Sequence, residues 1–371
     1  MEQLHTWYTD LHREPEPSRK EYRTAEKLTL WLQQLGLEVH RLGETAVIGV
    51  LRGANPGKTV ALRADMDALP VTEQTGLDYA SEIPGMMHAC GHDFHMTAVL
   101  GAAKILKAKQ KALAGTVQFV FQPDEEEDGY AAILSADEIM KNTDAVFGAH
   151  VDPTLPAGTY GFKSGIFYAS AATFDIVFHG KSAHGAKPQE GIDALAAAAE
   201  AVPKLLALRR EGDTPAVLSV GSFHSGTVRN VIADTATLSG ILRSADPATR
   251  AAIHLEMKAI LSDLETRYGV TVELKFAEGY RGITNPTEAT ALARAVAVET
   301  AGADKVSDIP EPLMTTEDFG EYLNGRDGCF YHIGVGGAYG LHSNHFAPDP
   351  ELLVGAATLH AAIIEKYLEE K

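Results

Sequence analysis

Cysteine is almost absent from this chain: Cys90 and Cys329 are the only two. Two thiols cannot build a disulfide framework, and an intracellular, cytoplasmic setting is expected. No C-x-x-C pair occurs, which argues against a structural zinc ribbon. The chain also lacks any apolar run of the ~18 residues or more that a membrane helix needs, so no span is expected. Its first residues, MEQLHTWYTDLHREPEP, carry charge from the second position and contain no apolar core. They do not read as a secretory signal. Basic residues are scarce, with 32 Lys and Arg against 50 Asp and Glu, a net charge of −18. That balance argues against nucleic acid or an anionic membrane as a partner. It does not constrain the substrate, because a local pocket can oppose the global sign.

At 371 residues, with 45% hydrophobic and 22% charged, the sequence suits a globular protein of two domains. Helical spacing of Leu28, Trp31, Leu32 and Leu35 predicts a helix over 21–36. Strands are expected at 46–53 and 59–65, joined by a turn through Asn55-Pro56-Gly57. A helix over 94–109, a strand at 115–122, a helix near 130–141 and a strand at 144–151 follow. This alternation predicts an α/β fold with a mainly parallel central sheet.

The character changes near Gly161. Residues 173–180 alternate with period two, as a half-exposed antiparallel strand does. A helix is expected over 193–210, with Pro203 as a candidate kink. Strands at 217–223 and 235–244, a helix over 247–268 and a strand at 270–276 complete the order of a ferredoxin-like α+β sandwich. An inserted domain is therefore placed at 163–278, inside a discontinuous catalytic domain of 1–162 and 279–371. A helix over 285–301, a strand at 329–335 and a closing helix after Asp349 bring the chain back.

Several metal-binding side chains fall just after predicted strands, where open α/β sheets keep their crevices. Asp65 and Asp67 end TVALRADMD, Glu125 and Glu126 lie in the acidic run after Phe121-Gln122-Pro123, and His150 ends DAVFGAHV. The segment MHACGHDFH is the densest, with Cys90 and His92 flanking Gly91, which lets the backbone bend. Thiolate, imidazole and carboxylate suit zinc, and imidazole with carboxylate also admits manganese or cobalt. Each segment has a plainer reading alone: a capping loop rich in histidine, a solvated acidic loop, a packed core histidine. LHSNHF offers His342 and His345 as ligands or as surface residues. Taken jointly, the four segments favour a metal site. Two adjacent glutamates could then divide ligation and proton transfer between them.

ALRADMDALP, MHACGHDFHMT, FQPDEEE, GAHV, NVIAD, TTEDFG and GLHS occur in an order that resembles the aminoacylase and glutamate-carboxypeptidase family of dinuclear metallopeptidases. The likeness is strongest to its amidohydrolase branch, which includes hippurate hydrolase, indole-acetyl-amino-acid hydrolase and N-acetyldiaminopimelate deacetylase. It implies a metal-dependent amidohydrolase that cleaves N-acyl amino acids. It implies two divalent ions, zinc or manganese with cobalt or nickel as substitutes, held by Cys90, His92, Glu126, His150 and His342. Either Cys90 or a water would lie between them. Glu125 becomes the general base, and Asp65, Asp67 and Glu317 support the ligands from behind. The inserted domain becomes a lid that also dimerises, so a homodimer or higher homo-oligomer is expected. His184 would reach a partner subunit's site, and Asn230 and Arg243 would bind the oxyanion or the substrate carboxylate.

Departures from the family pattern are Asp124 in place of a small residue, Ser182-Ala183 before His184, Ala233 for proline and Leu242 for threonine. Ala347-Pro348-Asp349 also replaces the usual continuation after LHSNHF. These bear on the substrate pocket more than on the chemistry, and leave His345 as a competitor to His342. The rival readings are a dipeptidase or aminopeptidase of the same family and a catalytically inactive binding homologue. The second is disfavoured because every implied ligand and the base are present.

Overall fold

The structure, a computed structural model, describes residues 1–212 and 214–370. The chain opens with α1 (Glu2–Arg13) and α2 (Tyr22–Gln34), then β1 (Glu38–Leu42), β2 (Ala46–Arg52) and β3 (Asn55–Asp65). Helix α3 (His92–Ala108), β4 (Ala114–Gln122), the short α4 (Ala131–Ala136), β5 (Ala145–Asp152) and β6 (Tyr160–Phe162) follow. After β7 (Gly165–Tyr168) come β8 (Ser170–His179), β9 (Ala183–His184), α5 (Ala194–Leu206) and β10 (Ala216–Ser225). Next are β11 (Val231–Ile232), β12 (Thr235–Ser244), α6 (Pro247–Tyr268) and β13 (Thr271–Glu278). The chain closes with β14 (Ile283–Asn285), α7 (Thr287–Ala301), β15 (Val306–Asp308), β16 (Asp327–Gly334) and α8 (Leu353–Glu369).

Two compact units result, one of 1–165, 284–310 and 318–371, the other of 166–283 and 311–317. The expected boundaries, after 162 and 278, fall a few residues earlier. Segment 311–317 joins the second unit because Leu313 exchanges backbone hydrogen bonds with Phe167 and Ala169.

The first unit is built on an eight-stranded sheet in the order β1-β2-β4-β3-β5-β16-β6-β15. Its centre, β4-β3-β5-β16, is parallel. Parallel strands covered on both faces are buried and mostly apolar, and β4, β5 and β16 are buried along nearly their whole length. Register sets up the site. Asp65 pairs with Gln122 and Arg63 with Gly148, so Asp65, Gln122 and His150 finish at one level. Helices α3 and α8 pack on each other and against β3 and β4. Expected and observed elements differ at some ends: α3 starts two residues early, and α4 stops at Ala136 instead of running to 141.

The second unit carries an antiparallel sheet in the order β10-β12-β8-β13, with α5 and α6 packed against it. This is the ferredoxin-like arrangement the element order predicts. Pro203 does not kink α5 midway. It sits in the final turn, and the helix ends three residues later at Leu206.

Helix α1 buries Trp7, Tyr8, Leu11 and His12 in the first unit's core. His12 is held by two carboxylates, donating from Nδ1 to Asp93 (2.6 Å) and from Nε2 to Glu73 (3.2 Å). Burial opposes its charge, but the two hydrogen bonds outweigh burial and lift the imidazole from 6.5 to about 9. A raised folded-state pKa contributes stability that is complete below pH 6.5 and is lost as pH rises through about 9. His12→Asn should therefore flatten the decline in urea midpoint across that window. An unchanged slope would show that other groups govern it.

Candidate metal centre

Each donor arrives at the end of an element that the sequence dictates. Gly91, at φ +84°, precedes α3 and turns the chain so that Cys90 and His92 share one side. A Cβ on Gly91 would lie 2.6 Å from Val151 Cγ2, so no larger residue fits without displacement. Strand β4 delivers Glu125 and Glu126, β5 delivers His150, and the 341–346 loop delivers His342, whose N–H donates to the Ala89 carbonyl at 2.8 Å.

These side chains converge in three donor sets: Cys90 with His92 and His150, Cys90 with Glu126 and His342, and His92 with Glu125 and Glu126. In each set all donor atoms lie within 4.8 Å of one another. Cys90 Sγ is 3.4 Å from His150 Nε2, and Glu126 Oε1 is 3.8 Å from His92 Nε2 and 3.5 Å from His342 Nε2. The tautomers are set from behind. His92 Nδ1 donates to the Asp67 carbonyl (2.9 Å) and His150 Nδ1 to the Val151 carbonyl (2.8 Å), so both present Nε2 inward.

Buried polar atoms are expected to have partners. Yet His92 Nε2 and Glu126 Oε1 are buried and have none. Two lone-pair donors aimed at a common point beside a thiol are what a cation satisfies, so the residues fit a metal. Burial works against charge on His92, but Asp65, Asp67 and Glu126 outweigh it and lift the imidazole to about 10. The pocket favours positive charge.

Asp65 and Asp67 sit one layer out. Asp65 accepts from Arg63 Nη1 (2.8 Å) and His95 Nδ1 (2.7 Å), while Asp67 Oδ2 accepts from Ser18 Oγ (2.7 Å) and the Glu126 N–H (3.0 Å). His345 joins no donor set among the described residues. Its Nδ1 donates to Asn344 Oδ1 (2.6 Å), and its ring stacks on Tyr339. Glu317 is buried and closes the 311–317 segment of the second unit. In that unit His184 is exposed on β9, paired with Val231, and Gly185 N–H donates to the Asn230 carbonyl (2.8 Å). Arg243 lies on β12, where Nη1 donates to the Met314 carbonyl (3.2 Å) and buried Nε has no partner.

Further residues complete the first unit's site, His95 from the histidine-rich segment and Arg63, Gln122 and Asp318 outside it. His95 Nε2 accepts from the Val151 N–H at 2.9 Å, tying α3 to the end of β5. Arg63 is fully buried, with Nε donating to Gln122 (3.0 Å) and Nη2 to Asp318 Oδ1 (2.9 Å). Asp318 Oδ2 accepts from Gln122 Nε2 and from the N–H groups of Tyr130 and Ala131. An arginine inside the apolar run of β3 was the available signal. Arg63→Met should cost ~3–5 kcal/mol of stability, because it strands buried carboxylates. Denaturant unfolding measures this, and a loss under ~1 kcal/mol would refute the network's importance.

Donor sets that share a thiol at the carboxyl edge of a parallel sheet fit a metal centre. The chain belongs to peptidase family M20/M25/M40, whose sequence profile matches residues 61–365. It is 36% identical to thermostable carboxypeptidase 1 of Saccharolobus solfataricus, over 96% of this chain and 93% of that protein. It is 34% identical to N-acetyldiaminopimelate deacetylase of Listeria monocytogenes, over 98% and 97% of the two chains. Among solved structures it resembles Bacillus subtilis YXEP, a dinuclear metal binding peptidase from the M20 family. The TM-score is 0.87 and identity 32%, covering 99% of this chain and 98% of that one. The chain is a metal-dependent hydrolase of amide bonds.

Proposed function

We propose that this protein releases free amino acids from N-acyl amino acids, with Glu125 as general base. Two divalent cations, zinc or manganese with cobalt or nickel as substitutes, would be held by Cys90, His92, Glu126, His150 and His342. The observation that carries the reading is the pair of donor triads meeting at Cys90 with Glu125 alongside. When bound, the cations supply Lewis acidity, acidifying water and offsetting negative charge on the carbonyl oxygen. Glu125 accepts a proton from the attacking water and passes it to the departing nitrogen as the C–N bond breaks. The products are a carboxylate and an amine. Asp67 holds His92 in one tautomer throughout, and Asp65 with His95 fixes the wall behind it.

Specificity is assigned to the second unit. Arg243, with its unpartnered Nε, and Asn230 would bind the amino acid's carboxylate or the developing oxyanion. A carboxypeptidase relative fits the same chemistry, since a peptide is an acyl group on its last residue. The test is a panel of N-acetyl, N-benzoyl and longer-chain acyl amino acids beside free-amine dipeptides. Hydrolysis of the acylated set is expected. Preference for free-amine dipeptides would favour the dipeptidase alternative.

The protein is further proposed to act in the cytoplasm as a homodimer or higher homo-oligomer, with His184 of the partner subunit donating to the oxyanion. Loss of such a donor costs about 10²-fold in kcat. His184→Ala should show that loss at unchanged metal content. Mixing it with Glu125→Gln subunits should restore activity, and a mixture that stays inactive would refute action in trans.

A further inference from the structure

Residues other than glycine avoid a left-handed backbone, because Cβ crowds the following carbonyl. Among the described residues only Arg19 (φ 62°), Asp124 (φ 57°) and His342 (φ 64°) adopt it. His342 is a proposed ligand, and Asp124 directly precedes Glu125 and Glu126. Strain of this kind gathers at functional sites when the surroundings enforce it. At Asp124 the enforcement is visible. Glu21 Oε1 accepts from the N–H groups of both Arg19 and Asp124, each at 3.0 Å. Arg19 Nε donates to Asp124 Oδ2 at 2.5 Å, and Nη2 lies 2.9 Å from Asp128 Oδ2. The other Asp124 oxygen accepts from the Asp128 N–H at 3.3 Å. Glu21 and Asp124 are fully buried, whereas the Arg19 side chain is 53% exposed. One carboxylate thus joins two left-handed residues from distant segments, at the point where the chain turns into the two glutamates.

We propose that Glu21 and Arg19 are positioning residues that lock Asp124 in its left-handed turn and so pre-set Glu125 and Glu126 for the metal centre. The proposal rests on the assignment of Glu126 as ligand and Glu125 as base. Neither clamp residue touches the reacting atoms. A chain whose competent conformer is only partly populated binds ligand more weakly by that fraction. Without the clamp the left-handed penalty is exposed, about tenfold in population. Cation binding would then have to select the right turn. A clamp that only braced the loop would lower the melting temperature and leave metal affinity alone.

The experiment titrates metal-stripped protein with cobalt(II), followed by visible absorption, and measures kcat and KM at saturating cobalt. Arg19→Leu should weaken apparent cobalt affinity about tenfold, with KM within about twofold of native. Arg19→Leu/Asp124→Gly should recover affinity, since glycine reaches that φ freely. Arg19→Leu/Asp124→Ala removes the buried carboxylate but keeps the backbone penalty, and should stay weak. Burial lifts the Glu21 carboxyl to about 7, so a neutral amide is a close mimic. Glu21→Gln should therefore bind cobalt like the native chain, and Glu21→Ala should not. Native cobalt affinity in Arg19→Leu, or a defect that glycine and alanine at 124 relieve equally, would overturn the proposal. Glu126→Ala separates the two levels. Undiminished cobalt binding there would remove the ligand assignment itself, whereas weak binding there with native binding in Arg19→Leu removes only the clamp.

Discussion

Glu125→Gln is expected to lower kcat by about 10²- to 10⁴-fold, the range general-base catalysis contributes. The amide keeps the volume and hydrogen-bonding reach of the carboxylate but cannot take a proton. Cation content should be unchanged, because Cys90, Glu126 and His342 still form one donor set and Cys90, His92 and His150 another. KM should move little, since the lost interaction belongs to the transition state. Glu125 owes its place to the end of β4, whose last strand residue, Gln122, is gripped by Arg63 and Asp318. That anchorage makes a local rearrangement an inadequate explanation for any loss. Steady-state kinetics on protein of verified metal content decides the matter. Turnover within about threefold of native would exclude Glu125 as the base.

Chelation should abolish activity by at least about 10³-fold, since Lewis acidity contributes several kcal/mol to such transition states. It should also lower the melting temperature. Asp65, Asp67 and Glu126 crowd one buried pocket, and a cation that binds only the folded chain stabilises it in proportion to the logarithm of its free concentration over Kd. Calorimetry with and without chelator measures the shift, and added zinc, manganese or cobalt should reverse both losses. Full activity after exhaustive chelation would contradict metal dependence in this chain.

The donor-rich loops were legible because each apolar strand stops at or beside an ionisable residue of the site: β3 at Asp65, β4 shortly before Glu125, β5 just past His150. The β-α-β-β-α-β order of the second unit was legible for the same reason, since helical and strand periodicities alternate cleanly there. Helix α1 was not. Its buried Trp7, Tyr8, Leu11 and His12 are interleaved with charged residues, and His12 is buried only because Asp93 and Glu73 lie far along the chain. Strand β1 is a half-exposed edge with little apolar content, so its pairing with β2 leaves almost no trace in composition. The region after α4 carries helical residues, but Asp137 turns to extended backbone and Arg326 takes the Ser135 and Met140 carbonyls. The Arg63–Asp318 network and the Glu21–Asp124 contact join residues about 255 and 103 positions apart, and no local pattern encodes such pairs.

The proposed function depends on a pair of cations held around Cys90 by side chains from four loops. Its most direct test is the metal retained per chain after loading with zinc, manganese or cobalt and desalting, measured by elemental mass spectrometry. The native protein should keep close to two equivalents, and Cys90→Ala and Glu126→Ala should each keep clearly fewer. Retention of none by the native chain, or of an undiminished pair by both variants, would contradict that proposal.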